Sequence, residues 1–109
     1  MKSLKRHQAF LQDVLREANR HKREVKLQHA KADQINALSE LSLNLLKKHI
    51  PVPLDTVAAL KKHKNALRQL GQRRLSVKKR RKVLLNQKGA GFWSGLNGCF
   101  QACHIKKNR

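Results

Sequence analysis

Leu4, Leu11, Ala18, Val25 and Ala32 recur every seven residues, with Val14 and Leu15 beside them. That spacing marks a narrow helical stripe, and no Gly or Pro interrupts the chain from Met1 to Ile50. The pattern predicts one long N-terminal helix over 1–32. Polar residues at the offset positions, His7, His21 and Gln28, make it a helix that rests on the rest of the chain or on a neighbour. Asp33 is the expected N-cap of a second helix whose Ile35, Leu38, Leu41, Leu45 and Leu46 share a face, ended by Pro51-Val52-Pro53. Asp55, with Thr56, caps a third helix carrying Val57, Leu60, Leu67 and Leu70, and Gly71 stands where such a helix stops. Together these predict a helical hairpin over 33–71, with its facing leucines as the core. Each fully buried side chain contributes about 1.5–3 kcal/mol against ordering entropy.

Beyond Gly71 the pattern changes. Residues 72–88 put bases on every side of any helix drawn through them, leaving only Val77, Val83, Leu84 and Leu85 as an apolar strip. Residues 89–109 combine Gly89, Gly91, Gly95 and Gly98 with Phe92, Trp93, Leu96 and Phe100, which predicts a flexible or partner-ordered apolar and basic tail. The expected class is therefore all-α: a long N-terminal helix, a hairpin, a basic C-terminal helix and a flexible Gly-rich tail. The carboxyl-terminal portion is expected to be held by a polyanionic partner and not by its own interior.

The charge gives that expectation its force. The 109 residues hold 26 Lys and Arg against 6 Asp and Glu, a formal net charge of +20. No acid follows Asp55, whereas Lys61, Lys62, Lys64, Arg68, Arg73, Arg74, Lys78, Lys79, Arg80, Arg81, Lys82, Lys88, Lys106, Lys107 and Arg109 do. The first 55 residues carry eleven bases and six acids, so three quarters of the net charge lies in the second half. A field so polarised opposes folding through self-repulsion and is relieved by a polyanion. Scattered single acids do not supply the paired carboxylates of acid–base catalysis. Walker loop, nucleophile elbow and zinc-protease histidines are also missing from the sequence, so no catalytic residue is expected.

The expected chemistry is phosphate neutralisation by Lys61, Lys62, Lys64, Arg68, Arg73, Arg74, Lys78, Lys79, Arg80, Arg81, Lys82 and Lys88, which releases counterions from double-stranded DNA or from RNA. Phosphate contacts position a protein, whereas base-edge contacts specify sequence. With no helix-turn-helix spacing, no zinc finger and few Asn or Gln among the bases, binding is expected to ignore sequence. Aromatic stacking platforms are excluded, because Phe10, Phe92, Trp93 and Phe100 are the only aromatic residues besides histidine. Lys78-Lys79-Arg80-Arg81-Lys82 also matches a nuclear import signal, and Arg73-Arg74-Leu75-Ser76 a site for basophilic kinases acting on Ser76. Cys99, Cys103 and His104 fall short of a four-ligand zinc site, so reduced thiols and no metal or cofactor are expected; a disulfide, or an intermolecular metal or disulfide clip, is the alternative. The first residues lack the apolar segment of a secretory signal.

From about Ile35 to Trp93 the order of features resembles small basic proteins of Maverick/Polinton-type elements and adintoviruses, which are similar to the precursor of adenovirus core protein X (mu). The residues that carry it are Leu60-Lys61-Lys62-His63-Lys64-Asn65-Ala66-Leu67-Arg68, then Ser76-Val77-Lys78-Lys79-Arg80-Arg81-Lys82, then Gln87-Lys88-Gly89-Ala90-Gly91-Phe92. The resemblance implies a virion-core protein that condenses double-stranded DNA, located in the nucleus or the virion, with capsid partners or further copies of itself nearby. It also implies release of the tail by a viral cysteine protease cutting between Ala90 and Gly91, where a Gly-rich extended strand suits a protease groove. Cys99, Cys103, His104 and the basic end depart from that pattern. A second reading is a cationic membrane-active protein whose Phe92, Trp93, Leu96 and Phe100 enter an anionic bilayer surface. A third is a ribosomal or histone-like structural protein that prefers folded RNA.

Overall fold

Among the described residues the main helices are α1 Gln8–Arg16, α2 Arg20–Gln28, α3 Ala32–Leu46, α4 Lys64–Gly71, α5 Val77–Leu85 and α6 Ala90–Lys107. The computed structural model describes residues 5–46, 61–72, 74–87 and 90–107, with side chains in the last stretch given for 91–101. No strand occurs among the described residues, so the all-α class holds. The Pro51-Val52-Pro53 turn and the Asp55–Thr56 cap lie outside the described residues.

The expected single helix over 1–32 is two helices. Glu17 and Asn19 take extended backbone angles, and the Asn19 side chain accepts the Lys22 amide at 3.0 Å as the N-cap of α2. Glu17 reinforces the break, its Oε2 accepting the Asn19 amide at 3.2 Å. Short polar side chains that bond the local backbone compete with helix continuation, so no glycine or proline is needed here. Lys26 then folds α2 back on α1, donating to Asp13 at 2.6 Å and Glu17 at 3.0 Å. The seven-residue stripe stops at this break. Leu11 is buried, but Ala18, Val25 and Ala32 are exposed, and α2 buries Arg23 and Leu27 instead.

Helix α3 is the central element, touching α1, α4, α5 and α6. It buries Ile35, Ala37, Leu38, Ser39, Leu41, Ser42 and Leu45, as a helix apolar or small on most sides must. Ser39 and Ser42 donate back to the carbonyls of Ile35 and Leu38. Its start is two residues earlier than an Asp33 N-cap would place it. Gln34 Oε1 accepts the Lys31 amide at 2.7 Å, half of a capping box, while Asp33 lies exposed in the first turn. The contact of α3 with α4 is the most extensive in the fold. A Cβ on Gly71 would sit 3.3 Å from Leu43 Cδ1, so the absent side chain is what permits this approach.

The hairpin is therefore only part of a larger globule, and the C-terminal portion is the main correction. The tail expected to be flexible forms α6, and Phe92, Trp93, Leu96, Cys99 and Phe100 are buried at helical spacing. Three glycines within it cost roughly 1 kcal/mol each relative to alanine. Four large side chains at about 1.5–3 kcal/mol apiece outweigh that cost. Phe92 packs edge-on against both Trp93, at 5.1 Å between ring centroids, and His63, at 5.6 Å. The basic helix docks as well, with Leu84 buried and Val77, Val83 and Leu85 packed against the core. The expectation that a polyanion replaces an interior here is overturned. The described residues have a radius of gyration of 12.6 Å, close to the roughly 12 Å of a compact chain of that many residues.

The two halves repeat one another. Each starts with a histidine, His7 or His63, at the N-cap of a short helix that ends in extended backbone at Glu17 or Gln72. Each continues with a nine-residue basic helix opened by a side-chain cap, Asn19 or Ser76, and closed by an αR residue, His29 or Asn86. Each finishes with a longer helix beginning at Ala32 or Ala90. Buried positions correspond: Leu11 with Leu67, Val14 with Leu70, Arg23 with Arg80, Leu27 with Leu84, Leu38 with Leu96 and Leu41 with Cys99. Exchanging the halves turns the α3–α4 contact into the α1–α6 contact, and maps α2–α5 and α3–α6 onto themselves. The two halves thus share an order of elements and a set of buried positions, although the α3–α5 and α1–α3 contacts have no equally extensive counterpart in α2–α6 and α4–α6.

Trp93, the only tryptophan, reports on this directly. Its fluorescence is expected to be blue-shifted in the native protein and to move red in one transition on urea unfolding. Trp93→Ala is expected to lower stability by about 3–5 kcal/mol in the same titration, whereas a flexible tail would show neither effect.

Candidate nucleic-acid interface

Helical periodicity divides the basic run of α5 between solvent and core. Lys78, Lys79 and Lys82 are exposed, whereas Val77, Arg80 and Leu84, at spacings of three and four, form the inward stripe. Arg80 is 4% exposed and its guanidinium is consumed internally, Nη1 donating to Ser39 Oγ at 2.7 Å and Nε to the Leu75 carbonyl at 3.1 Å. Arg81 is half-buried and its Nη2 donates to the Ala30 carbonyl beyond the end of α2, with Nε buried and lacking a partner. Arg80 is thus committed to the scaffold, and Arg81 bonds inward to the backbone while remaining half-exposed. An arginine can occupy such a stripe because its methylene stem is apolar and its fork reaches carbonyls.

The other sequence candidates are placed differently. Lys61, Lys62, Lys64 and Arg68 are exposed on α4 and the turn before it, and Arg74 is exposed on the approach to α5. Helices α4 and α5 pack on one another, so the fold does bring these groups into neighbouring elements. Arg73 and Lys88 lie outside the described residues. Ser76 is exposed and caps α5, its Oγ accepting the Lys79 amide at 3.2 Å. Ala90 and Gly91 form the first residues of α6, so the extended Gly-rich strand expected for cleavage there is a helix start instead. Phe92, Trp93, Leu96 and Phe100, the candidate membrane contacts, are all within 3% of full burial, and no described helix is long and apolar enough to cross a membrane. Cys99 is buried among them.

The acids are used where they stand. Asp13 and Glu17 hold Lys26, Glu24 lies 3.7 Å from Arg20, and Asp33 lies 3.5 Å from His7. No ion pair among the described residues reaches α4 or α5. Those helices and their approaches thus present Lys61, Lys62, Lys64, Arg68, Arg74, Lys78, Lys79 and Lys82 to solvent, with no acid among the described residues in ion-pair contact with them. Sequence reasoning passed over the exposed Arg20 and Lys22 of α2, the helix equivalent to α5. It also passed over Arg23, 5% exposed, which donates to the Glu17 carbonyl at 2.9 Å and lies 4.9 Å from the centroid of the Trp93 ring. Burial pushes its guanidinium pKa down, although an arginine stays charged. The available signal was positional: Arg23-x3-Leu27 and Arg80-x3-Leu84 each follow a capping residue by four.

No protein family, no curated protein and no solved structure matches this chain.

Two experiments separate scaffold from surface. Arg80→Ala is expected to cost about 2–3 kcal/mol, because a buried hydroxyl and a carbonyl lose their donor, while Lys82→Gln leaves the melting temperature unchanged; parallel thermal melts check this. The Lys26 cluster sets a pH window. Its hydrogen bond to Lys26 holds the Glu17 carboxyl below the usual range, and bonds to Asp13 and Glu17 raise Lys26. The carboxylate contribution is present above the unfolded value of about 4.3 and is lost as pH falls through the folded one. The Lys26 contribution is present below about 10.4 and is lost as pH rises beyond it. Melts between pH 3 and 6 are expected to show a shallower acid decline for Glu17→Gln than for the parent.

Proposed function

We propose that this protein binds duplex DNA without regard to sequence, by neutralising phosphates with the exposed bases of α4, α5 and their approaches, and that it condenses DNA in a virion-core-like role. The carrying observation is the set of eight exposed, acid-free bases at Lys61, Lys62, Lys64, Arg68, Arg74, Lys78, Lys79 and Lys82. Each phosphate contact on B-form DNA contributes about 0.9 to the slope of log affinity against log salt. Four engaged bases therefore give a slope of about 3.6, and all eight about 7. Lysines rather than a forked arginine array dominate this surface, which suits point-charge contact with backbone over bidentate reading of bases. The resemblance to small basic core proteins supports a location in the nucleus or the virion, with capsid components as neighbours. A phosphate on Ser76 cancels up to two of these charges beside Lys78 and Lys79, and so weakens the interface.

An electrophoretic or anisotropy titration tests the reading, using two unrelated duplexes, a structured RNA and anionic vesicles at several salt concentrations. Equal affinity for both duplexes, falling with a slope between about 3 and 7, is the expected outcome. A salt-insensitive affinity overturns it. Preference for the RNA favours the ribosomal or histone-like alternative, and vesicle leakage without DNA binding favours the membrane-active one.

A further inference from the structure

We infer that α2 is a second phosphate-contacting helix equivalent to α5, so that the protein offers an antiparallel pair of cationic helices to the two strands of one DNA duplex. This deepens the DNA-binding reading and rests on it. The equivalence comes from the fold. Both helices have nine residues and a side-chain cap on the amide of a lysine, Lys22 or Lys79. Both bury an arginine in their second turn and a leucine four residues later, Arg23 with Leu27 and Arg80 with Leu84. Each arginine bonds a carbonyl just before its own helix, Glu17 for one and Leu75 for the other.

With the inward stripes matched, the outward positions match as well. His21, Lys22 and Val25 of α2 are exposed, and so are their counterparts Lys78, Lys79 and Lys82 of α5. The helices pack side by side. Arg81 of α5 reaches the Ala30 carbonyl past the end of α2. Arg23 near the start of α2 lies over Trp93, whose Nε1 donates to the Gln87 carbonyl past the end of α5. The two therefore run antiparallel, which sets their cationic first turns at opposite ends. Nine residues at about 1.5 Å each separate those ends by roughly 13 Å. This is the scale of the ~12 Å major groove of B-form DNA. Two cationic helices running antiparallel side by side suit a ligand whose two strands also run antiparallel.

The two helices have diverged in strength. Where α5 has Arg81 and Lys82, α2 has Glu24 and Val25. Glu24 meets Arg20 at 3.7 Å between exposed or half-exposed groups, a pair worth little in water. Lys22 has no acid within salt-bridge distance. Helix α2 is thus the weaker clamp, and Val25, 39% exposed, marks the position where it lacks a charge.

The test is an anisotropy titration of the full chain with a labelled 20-base-pair duplex across a salt series, with a thermal melt of each variant. Lys22→Gln is expected to lower the salt slope by about 0.9, as Lys79→Gln does, and Val25→Lys to raise it by a similar amount. All three positions are exposed, so melting is expected to stay within a degree or two of the parent, and the gain at Val25 keeps the test independent of loss by misfolding. If Lys79→Gln lowers the slope while Lys22→Gln and Val25→Lys leave it unchanged, α2 does not touch DNA and this inference falls while the DNA-binding reading stands. If neither Lys79→Gln nor Lys22→Gln changes it, both fall.

Discussion

A nine-residue helix with five consecutive bases can lie on a core only if a base turns inward with its hydrogen bonds satisfied, and the fold depends on Arg80 doing this. Its guanidinium joins the Leu75 carbonyl before α5 to Ser39 in the middle of α3, tying the helix to the central element. With that position committed, Lys78, Lys79 and Lys82 have no alternative but solvent. The exposed lysines and the scaffold are thus set by one rotation of α5 about its axis, and Arg23 sets α2 by the same means.

Charge and stability are arranged in complementary halves of the chain. The first unit uses its acids locally, with Asp13 and Glu17 clasping Lys26 across the α1–α2 break. The second unit has no acids and joins the first through burial: α4 on α3, and α6 on α1 and α3. Its positive field is held in place by apolar contact from within. A net charge of +20 on a small core opposes folding by self-repulsion. A polyanion that binds the native state lowers that repulsion and adds stability by linkage. Nucleic acid, on this reading, acts on a fold that already has an interior.

Much of this was legible in the chain. All-helical structure follows from fifty residues without glycine or proline and from leucines at helical spacing, and the inward faces of α3 and α4 follow from Ile35, Leu38, Leu41, Leu67 and Leu70. The acid-free second half identified the exposed bases of the candidate interface. The repeat was not legible, because the two units are offset by 56 residues at His7 and His63, 57 at Arg23 and Arg80, and 58 at Leu38 and Leu96. Each linker shifts the register, and most identities are isolated.

Local rules determined what each segment could be, and tertiary contact decided what each side chain would do. Sequence sufficed for helix type and for the sign of the field, since these depend on local spacing or on simple counting, whereas the caps at Asn19 and Ser76 emerged only with the structure. Only the packed structure could turn Arg80 inward and leave Lys79 outward, or order Phe92, Trp93 and Phe100 into a core helix despite three glycines. The physical reason is that a cationic stem or a glycine-rich helix is unfavourable alone and becomes favourable when a distant partner supplies a hydroxyl, a carbonyl or an apolar face. Those partners lie up to forty residues away or more, as Ser39 does from Arg80, and no local pattern records them.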